Sequence, residues 1–294
     1  ALGVTMLIDF SSRPPAPSFN AAAPHLQNYR RIYAASETRS AETGATSDID
    51  AYLSLYEEIG ARHVVLKARD VETTFGFKIA NETVADFCKA QGPRYLGFAG
   101  VDPHKGAAAV AEFDHAIRNL GLRGLNIQCF ELKLRPNDPL LFPLYEKALE
   151  LDVPVNIHCG INFSTATPMS YGRPEYLDEV MVAFPGLRVC ASPPGWPWVT
   201  ELIGVSWRHP TLYIGVLAVR PKLLAKAHSG YEPLLQYGRS ILKDKIIFGS
   251  SFPMMSPVDA IAEVDGLGLD ADIRQKWLHD NAARFLKLDS EARG

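Results

Sequence analysis

Cysteine occurs only four times in the 294 residues, at Cys88, Cys129, Cys159 and Cys190, and never in a Cys-x-x-Cys spacing. That excludes a disulfide-dense scaffold, and reduced thiols in a cytoplasmic protein are the expectation. No apolar run approaches the roughly 20 residues of a membrane-spanning helix, so no membrane partner is expected. Neither sign of charge dominates. A net charge of -3 gives no reason to expect nucleic acid as a partner. No Gly-x-Gly-x-x-Gly follows an apolar run, which argues against a dinucleotide fold, and no cofactor is expected. The opening "ALGVTMLIDF" has neither a basic region nor a long apolar segment, and reads as a strand.

What the sequence does have is alternation. At 47% hydrophobic and 21% charged, the chain has the composition of an ordinary globular protein. Short apolar runs at 4–10, 62–68, 94–101, 122–128, 154–160, 187–192, 212–216 and 245–250 predict eight strands. Helical patterns separate them, at 48–61, 81–92, 104–121, 139–152, 174–186, 196–210, 221–242 and 257–287. Asp48 and Asn81 stand where N-caps belong. Eight strand–helix units predict an α/β fold closed into a single (β/α)8 TIM barrel spanning 1–294. A doubly wound open sheet is the alternative. Residues 14–47, rich in Pro, Ala and Ser, read as a surface insertion. A homo-oligomer is compatible with this composition.

In such a barrel, chemistry sits at the C-terminal ends of the strands. Several phrases there are specific: "LIDF", "KARDVETTFGFKIANE", "GFAGVDPHKG", "PLYEKALELDVPVNIHCG", "GWPWVTELIGVSWRHPTLYI" and "DKIIFGSSFPMMSP". Together they resemble the amidohydrolase superfamily, in the branch of aromatic-acid and aminocarboxymuconate-semialdehyde decarboxylases. The resemblance implies a metal held by Asp-x-His-x-His on the first strand, a His on the fifth, a His on the sixth and an Asp on the eighth. This chain reads Asp9-Phe10-Ser11-Ser12-Arg13, so Ser11 and Arg13 replace both histidines of the first strand. His158 remains, Pro193 stands at the sixth-strand position, and Ser251 replaces the Asp. One imidazole cannot retain a transition metal that needs three or four protein ligands, so no metal site is expected.

Without a metal, fixed cations and hydrogen-bond donors must stabilise developing negative charge. The expected catalytic residues are Arg13, as a bidentate anion holder; His158, as general acid or base; and Asp9, orienting Arg13 or relaying a proton. Ser11, Lys67, Arg69, Tyr171, Arg173, Trp196 and Ser251 are the expected substrate contacts, all near strand ends. The expected ligand is a small anionic oxo or hydroxy acid. The expected activity is a metal-independent lyase step, such as decarboxylation, dehydration or C–C cleavage, or hydrolysis of an activated bond. A catalytically inactive binding or regulatory protein is the alternative.

Overall fold

The apolar runs form short strands because each must bury both faces, one against the barrel interior and one against helices. The structure, a computed structural model, describes residues 6–35 and 48–288. Its strands are β1 (Leu7–Asp9), β2 (Ala61–Lys67), β3 (Arg69–Val71), β4 (Phe77–Ile79), β5 (Tyr95–Phe98), β6 (Leu125–Ile127), β7 (Val155–His158), β8 (Val189–Ser192), β9 (Leu212–Val216) and β10 (Ile246–Phe248). β3 and β4 form a small antiparallel hairpin that the sequence reading did not anticipate. The other eight are the expected barrel strands. β1 pairs with β2 and β2 with β5, while β6 to β10 pair in chain order, all parallel. Parallel bridges at Ala99–Leu125 and Ser12–Phe252 join the two groups into a closed barrel.

The period of two sorts the side chains. On β7, Val155 and Ile157, and Cys159 beyond them, belong to the core between strands and helices, while Asn156 and His158 take the opposite face. Ile8, Phe10, Val65, Leu96, Phe98, Tyr213 and Ile247 fill the lower barrel, with Phe285 and Leu286 of the last helix (Asn281–Leu286) plugging its base. Phe10 meets Phe98 and Phe285 edge-on, at centroid distances of 5.5 and 5.6 Å. Above this apolar floor runs a ladder of amides. Ser192 Oγ donates to Asn156 Oδ1 at 2.8 Å, and Asn156 Nδ2 to Asn126 Oδ1 at 3.0 Å. Asn126 Nδ2 then donates to Ala68 O at 3.1 Å.

Helix starts follow local chemistry in one case and tertiary demand in another. Asp48 caps α2 (Ile49–Glu58) by accepting from Asp50 N at 2.9 Å, as expected. Asn81 does not cap. It opens its helix, and its Oδ1 accepts from Gly100 N at 2.8 Å while Nδ2 donates to Glu112 at 3.0 Å. A buried backbone N–H after β5 has the stronger claim on that side chain. Residues 17–35, within the expected insertion, form two short 3-10 turns and the helix α1 (Gln27–Ala35). Residues 36–47 of that segment lie outside the described residues.

The seam between first and last strands is held by a buried carboxylate. Asp9 accepts from Ser250 N at 2.8 Å, Ser250 Oγ at 2.5 Å, Tyr56 OH at 2.7 Å and Ser11 N at 3.1 Å. Tyr56, on α2, also lies 2.9 Å from Ser12 Oγ, which contacts Tyr52 OH at 2.7 Å. Removing the Tyr56 hydroxyl leaves buried acceptors short of a donor. Tyr56→Phe is therefore expected to lower stability by about 1–3 kcal/mol. Urea denaturation checks this, and a change below about 0.5 kcal/mol would remove Tyr56 from the seam's account.

Candidate functional site at the strand C-termini

His158 ends β7 on the inward face, and it is 5% exposed. Its ring meets the edge of Phe130 at 4.6 Å, and Nδ1 has no hydrogen-bond partner. Burial, and then the positive charge of Arg69, lowers its pKa to about 3, so the resting imidazole is neutral. Arg69 opens β3, two residues after the end of β2, at the base of the β3–β4 hairpin. Its Nη1 lies 3.2 Å from both carboxylate oxygens of Glu131.

Glu131 is the residue the sequence reading missed. It sits in the single turn Cys129–Leu132 after β6, fully buried. Its Oε1 contacts His25 Nε2 at 2.7 Å. His25 stacks on Phe75, 4.2 Å between ring centroids and 9° between planes. The Pro-rich segment around His25 is thus no loose insertion; it is pinned across the loops that follow β6 and β7. Asn28 Nδ2 donates to Phe163 O at 2.8 Å, and Ser164 Oγ to His25 O at 3.0 Å. Tyr29, its pKa raised by burial, packs against Phe163 at 5.5 Å and Phe130 at 6.2 Å. A buried Glu amid apolar neighbours in "CFEL" was the available signal, because such a carboxylate demands a cation.

Lys67 ends β2 and points inward at the boundary between apolar floor and polar mouth. Its Nζ donates to Phe10 O and lies 4.6 Å from the Phe10 ring centroid. Among the described residues no carboxylate forms an ion pair with it. Burial lowers its pKa to about 8, opposed by the charge of Asp9 and assisted by that of Arg69.

The other expected site residues are dispersed. Arg13 is exposed at the rim, where its charge bears on Tyr33 of α1. Asp9 serves the seam described above and faces α2, and Ser11 N bonds to it. Ser251 adopts a left-handed backbone (φ 56°), and its Oγ accepts from Ala218 N at 2.9 Å. Tyr171 lies half-buried under the Arg135 guanidinium at 5.7 Å. Arg173 pairs with Glu201 at 3.3 Å and lies 5.6 Å from the Trp198 ring, between two outer helices. Trp196 Nε1 donates to Ser229 O at 3.1 Å, which makes it a wall residue. The structure therefore brings together Lys67, Arg69 and His158, and sets Asp9, Arg173, Trp196 and Ser251 on other business.

The donors present do not fit a transition metal. Ser251 Oγ is turned to a neighbouring loop, Arg13 brings a permanent cation, and the unpaired Nδ1 belongs to a solitary histidine. Among the described residues no three His, Cys, Asp or Glu side chains are grouped to hold an ion.

An unpaired cation at this depth costs stability. The sign is set by the depressed pKa: between about 8 and the ordinary 10.5, the unfolded chain binds more protons than the folded one. The penalty is full below about pH 8 and fades as pH rises towards 10.5. Lys67→Met is expected to stabilise the protein by about 1–3 kcal/mol at pH 7, the gap shrinking towards pH 10. Denaturation at both pH values checks this. Destabilisation at pH 7 would mean that Lys67 is held by favourable contacts.

The whole-chain architecture recurs in known structures. An uncharacterized TIM-barrel protein from Bordetella bronchiseptica is 26% identical, with a TM-score of 0.82 over 97% of this chain and 99% of that one. The 5-carboxyvanillate decarboxylase from Sphingomonas paucimobilis shares the fold at 17% identity, with a TM-score of 0.68 over 96% of this chain and 99% of that one. A dihydroxybenzoic acid decarboxylase from Polaromonas, solved with bound manganese and 2-nitroresorcinol, does so at 15% identity, with a TM-score of 0.64 over 97% and 98%. No curated protein matches the chain by sequence. The family described as amidohydrolase matches residues 17–288, nearly the entire chain, and the protein belongs to that family.

Proposed function

We propose that the chain is a metal-independent lyase acting on a small anionic oxo or hydroxy acid at the barrel mouth. The observation that carries this reading is Lys67, an inward-facing cation with no carboxylate partner where amidohydrolase-fold enzymes do their chemistry. A half-buried charge without a carboxylate partner among the described residues is offset where a ligand neutralises it. A substrate carboxylate does so, with Arg69 as a second, partly neutralised cation and Arg13 attracting anions at the rim. The membership in the amidohydrolase family and the decarboxylase neighbours support the reaction class.

In a decarboxylation, the bond from carbon to carboxylate breaks, carbon dioxide leaves, and the electron pair stays on the substrate. A nearby ammonium stabilises that charge, and a proton then replaces the lost group. His158, neutral at rest, is suited to accept a proton from a substrate hydroxyl, and a bound anion beside it raises its basicity. The aromatic surround of Phe130, Tyr29 and Phe163 suits a flat, cyclic acid. The depressed basicity of His158 also favours a second reading, a binding protein without turnover.

A panel of hydroxybenzoates, 2-oxo acids and 3-oxo acids, assayed for carbon dioxide release, separates the two. Turnover should survive chelator, and His158→Gln should lower kcat by ~10²–10⁴-fold while binding changes only a few-fold. Activity lost to chelator and restored by Mn²⁺ or Zn²⁺ would sink metal independence. Tight binding without conversion of any acid would establish the second reading.

A further inference from the structure

We propose that the Lys67 amine is a covalent nucleophile that forms an imine with the ketone carbonyl of a 3-oxo acid. The inference rests on the lyase reading above and narrows its substrate class.

The argument begins with a comparison inside the molecule. Two lysines, Lys67 and Lys245, have pKa values lowered to about 8 by burial. Lys245 lies just before β10, at the opposite end of the barrel from the mouth, and donates to the carbonyls of His209, at 2.8 Å, Pro210, at 2.5 Å, and Leu212, at 3.2 Å. All its protons are in use, so it is a strut that must stay charged. Lys67 spends one proton on Phe10 O and otherwise faces an aromatic ring. Among the described residues no carboxylate pairs with it, so only one carbonyl and one ring face favour its ammonium form. An amine in an apolar wall beside a second cation, here Arg69, is the setting in which lysine becomes a nucleophile at neutral pH. With a pKa of about 8, roughly a tenth of it is free amine at pH 7.

The chemistry closes without a metal. The Lys67 nitrogen adds to the ketone carbon, and the carbonyl oxygen takes up protons and leaves as water, giving an iminium. The bond from C2 to the carboxylate carbon then breaks. Carbon dioxide departs, and its electron pair flows through C2 to the iminium nitrogen, giving an enamine. C2 takes a proton, water adds to the imine carbon, and ketone and free amine separate. The balance is one 3-oxo acid anion and one proton to one ketone and one carbon dioxide. The iminium supplies the electron sink that the missing ligands would have supplied through a metal, which explains why a substrate with a carbonyl one carbon beyond the carboxylate suits this site.

Incubation of the full chain with acetoacetate or oxaloacetate in the presence of sodium cyanoborohydride tests this, read by intact mass and peptide mapping. The expected result is one reduced adduct on Lys67, absent in Lys67→Arg, which keeps the charge and a donor for Phe10 O. The Lys67→Arg protein should melt normally and lose more than ~10³-fold of kcat. No adduct on Lys67 with either acid, or adducts only on surface lysines, overturns the covalent role. Unchanged turnover in Lys67→Arg also overturns it, while leaving the lyase reading standing. That reading fails separately, if no acid of the wider panel is converted.

Discussion

The barrel closes on one carboxylate. Asp9 sits where the first strand meets the last, and its two oxygens collect donors from Ser250, Tyr56 and Ser11. Desolvation alone raises its pKa, and those donors act in the opposite direction. Their satisfaction lets a polar group occupy a seam buried on every side. Everything at the mouth depends on this closure. Phe10 lies next to Asp9 in the chain, so fixing Asp9 on the α2 side turns Phe10 inward, and Phe10 in turn presents both its ring and its carbonyl to Lys67.

The mouth that results has an uneven charge balance. Glu131 is committed to Arg69 and His25, which secures the α1 segment over the strand ends. That leaves Lys67 without a carboxylate partner among the described residues and His158 as a neutral ring with an idle Nδ1. Each carries hydrogen-bonding or charge-pairing capacity that no neighbouring side chain uses. The polar ladder of Ser192, Asn156 and Asn126 beneath them is, by contrast, hydrogen-bonded from end to end. Buried polar atoms without a partner occur elsewhere too, at Tyr95 OH and Asn281 Oδ1 for example, so what sets the mouth apart is the proximity of an idle imidazole nitrogen to two cations.

The fold was legible in the sequence because eight apolar runs at regular intervals leave few alternatives. The β3–β4 hairpin was not, since "RDV" and "FKI" are too short to show a period and pair through a tertiary position at the strand end. Of the site, the inward direction of His158 and the presence of Lys67 and Arg69 could be read from strand parity. Asp9 read as catalytic because it stands beside the positions where the resemblance places metal ligands, whereas Ser250 and Tyr56 surround it in the fold. Arg173 misled for a related reason: a cation in a loop after a strand is as well placed to pair with Glu201 between helices as to reach the mouth. His25 and Tyr29 were hidden in a stretch whose Pro and Ala content says only that it lacks a regular core-facing pattern.

The residues at the positions where the resemblance places metal ligands and the state of Lys67 are physically linked. A divalent ion at the mouth would repel an ammonium a few ångströms away and hold a bound anion by itself. On the proposed metal-independent reading, with Arg13 at the rim and Ser251 turned to Ala218, Lys67 is the inward cation that would meet an anionic substrate. Its apolar setting lowers the cost of losing the proton, and its lack of a carboxylate partner removes the main reason to keep it. A methionine of similar length would fill the same space without the desolvation penalty, so the cation costs stability where it stands. On the proposed reading that cost is offset when a bound anion sits beside Lys67, and the binding free energy of the anion is the quantity that decides between a working site and an inert one.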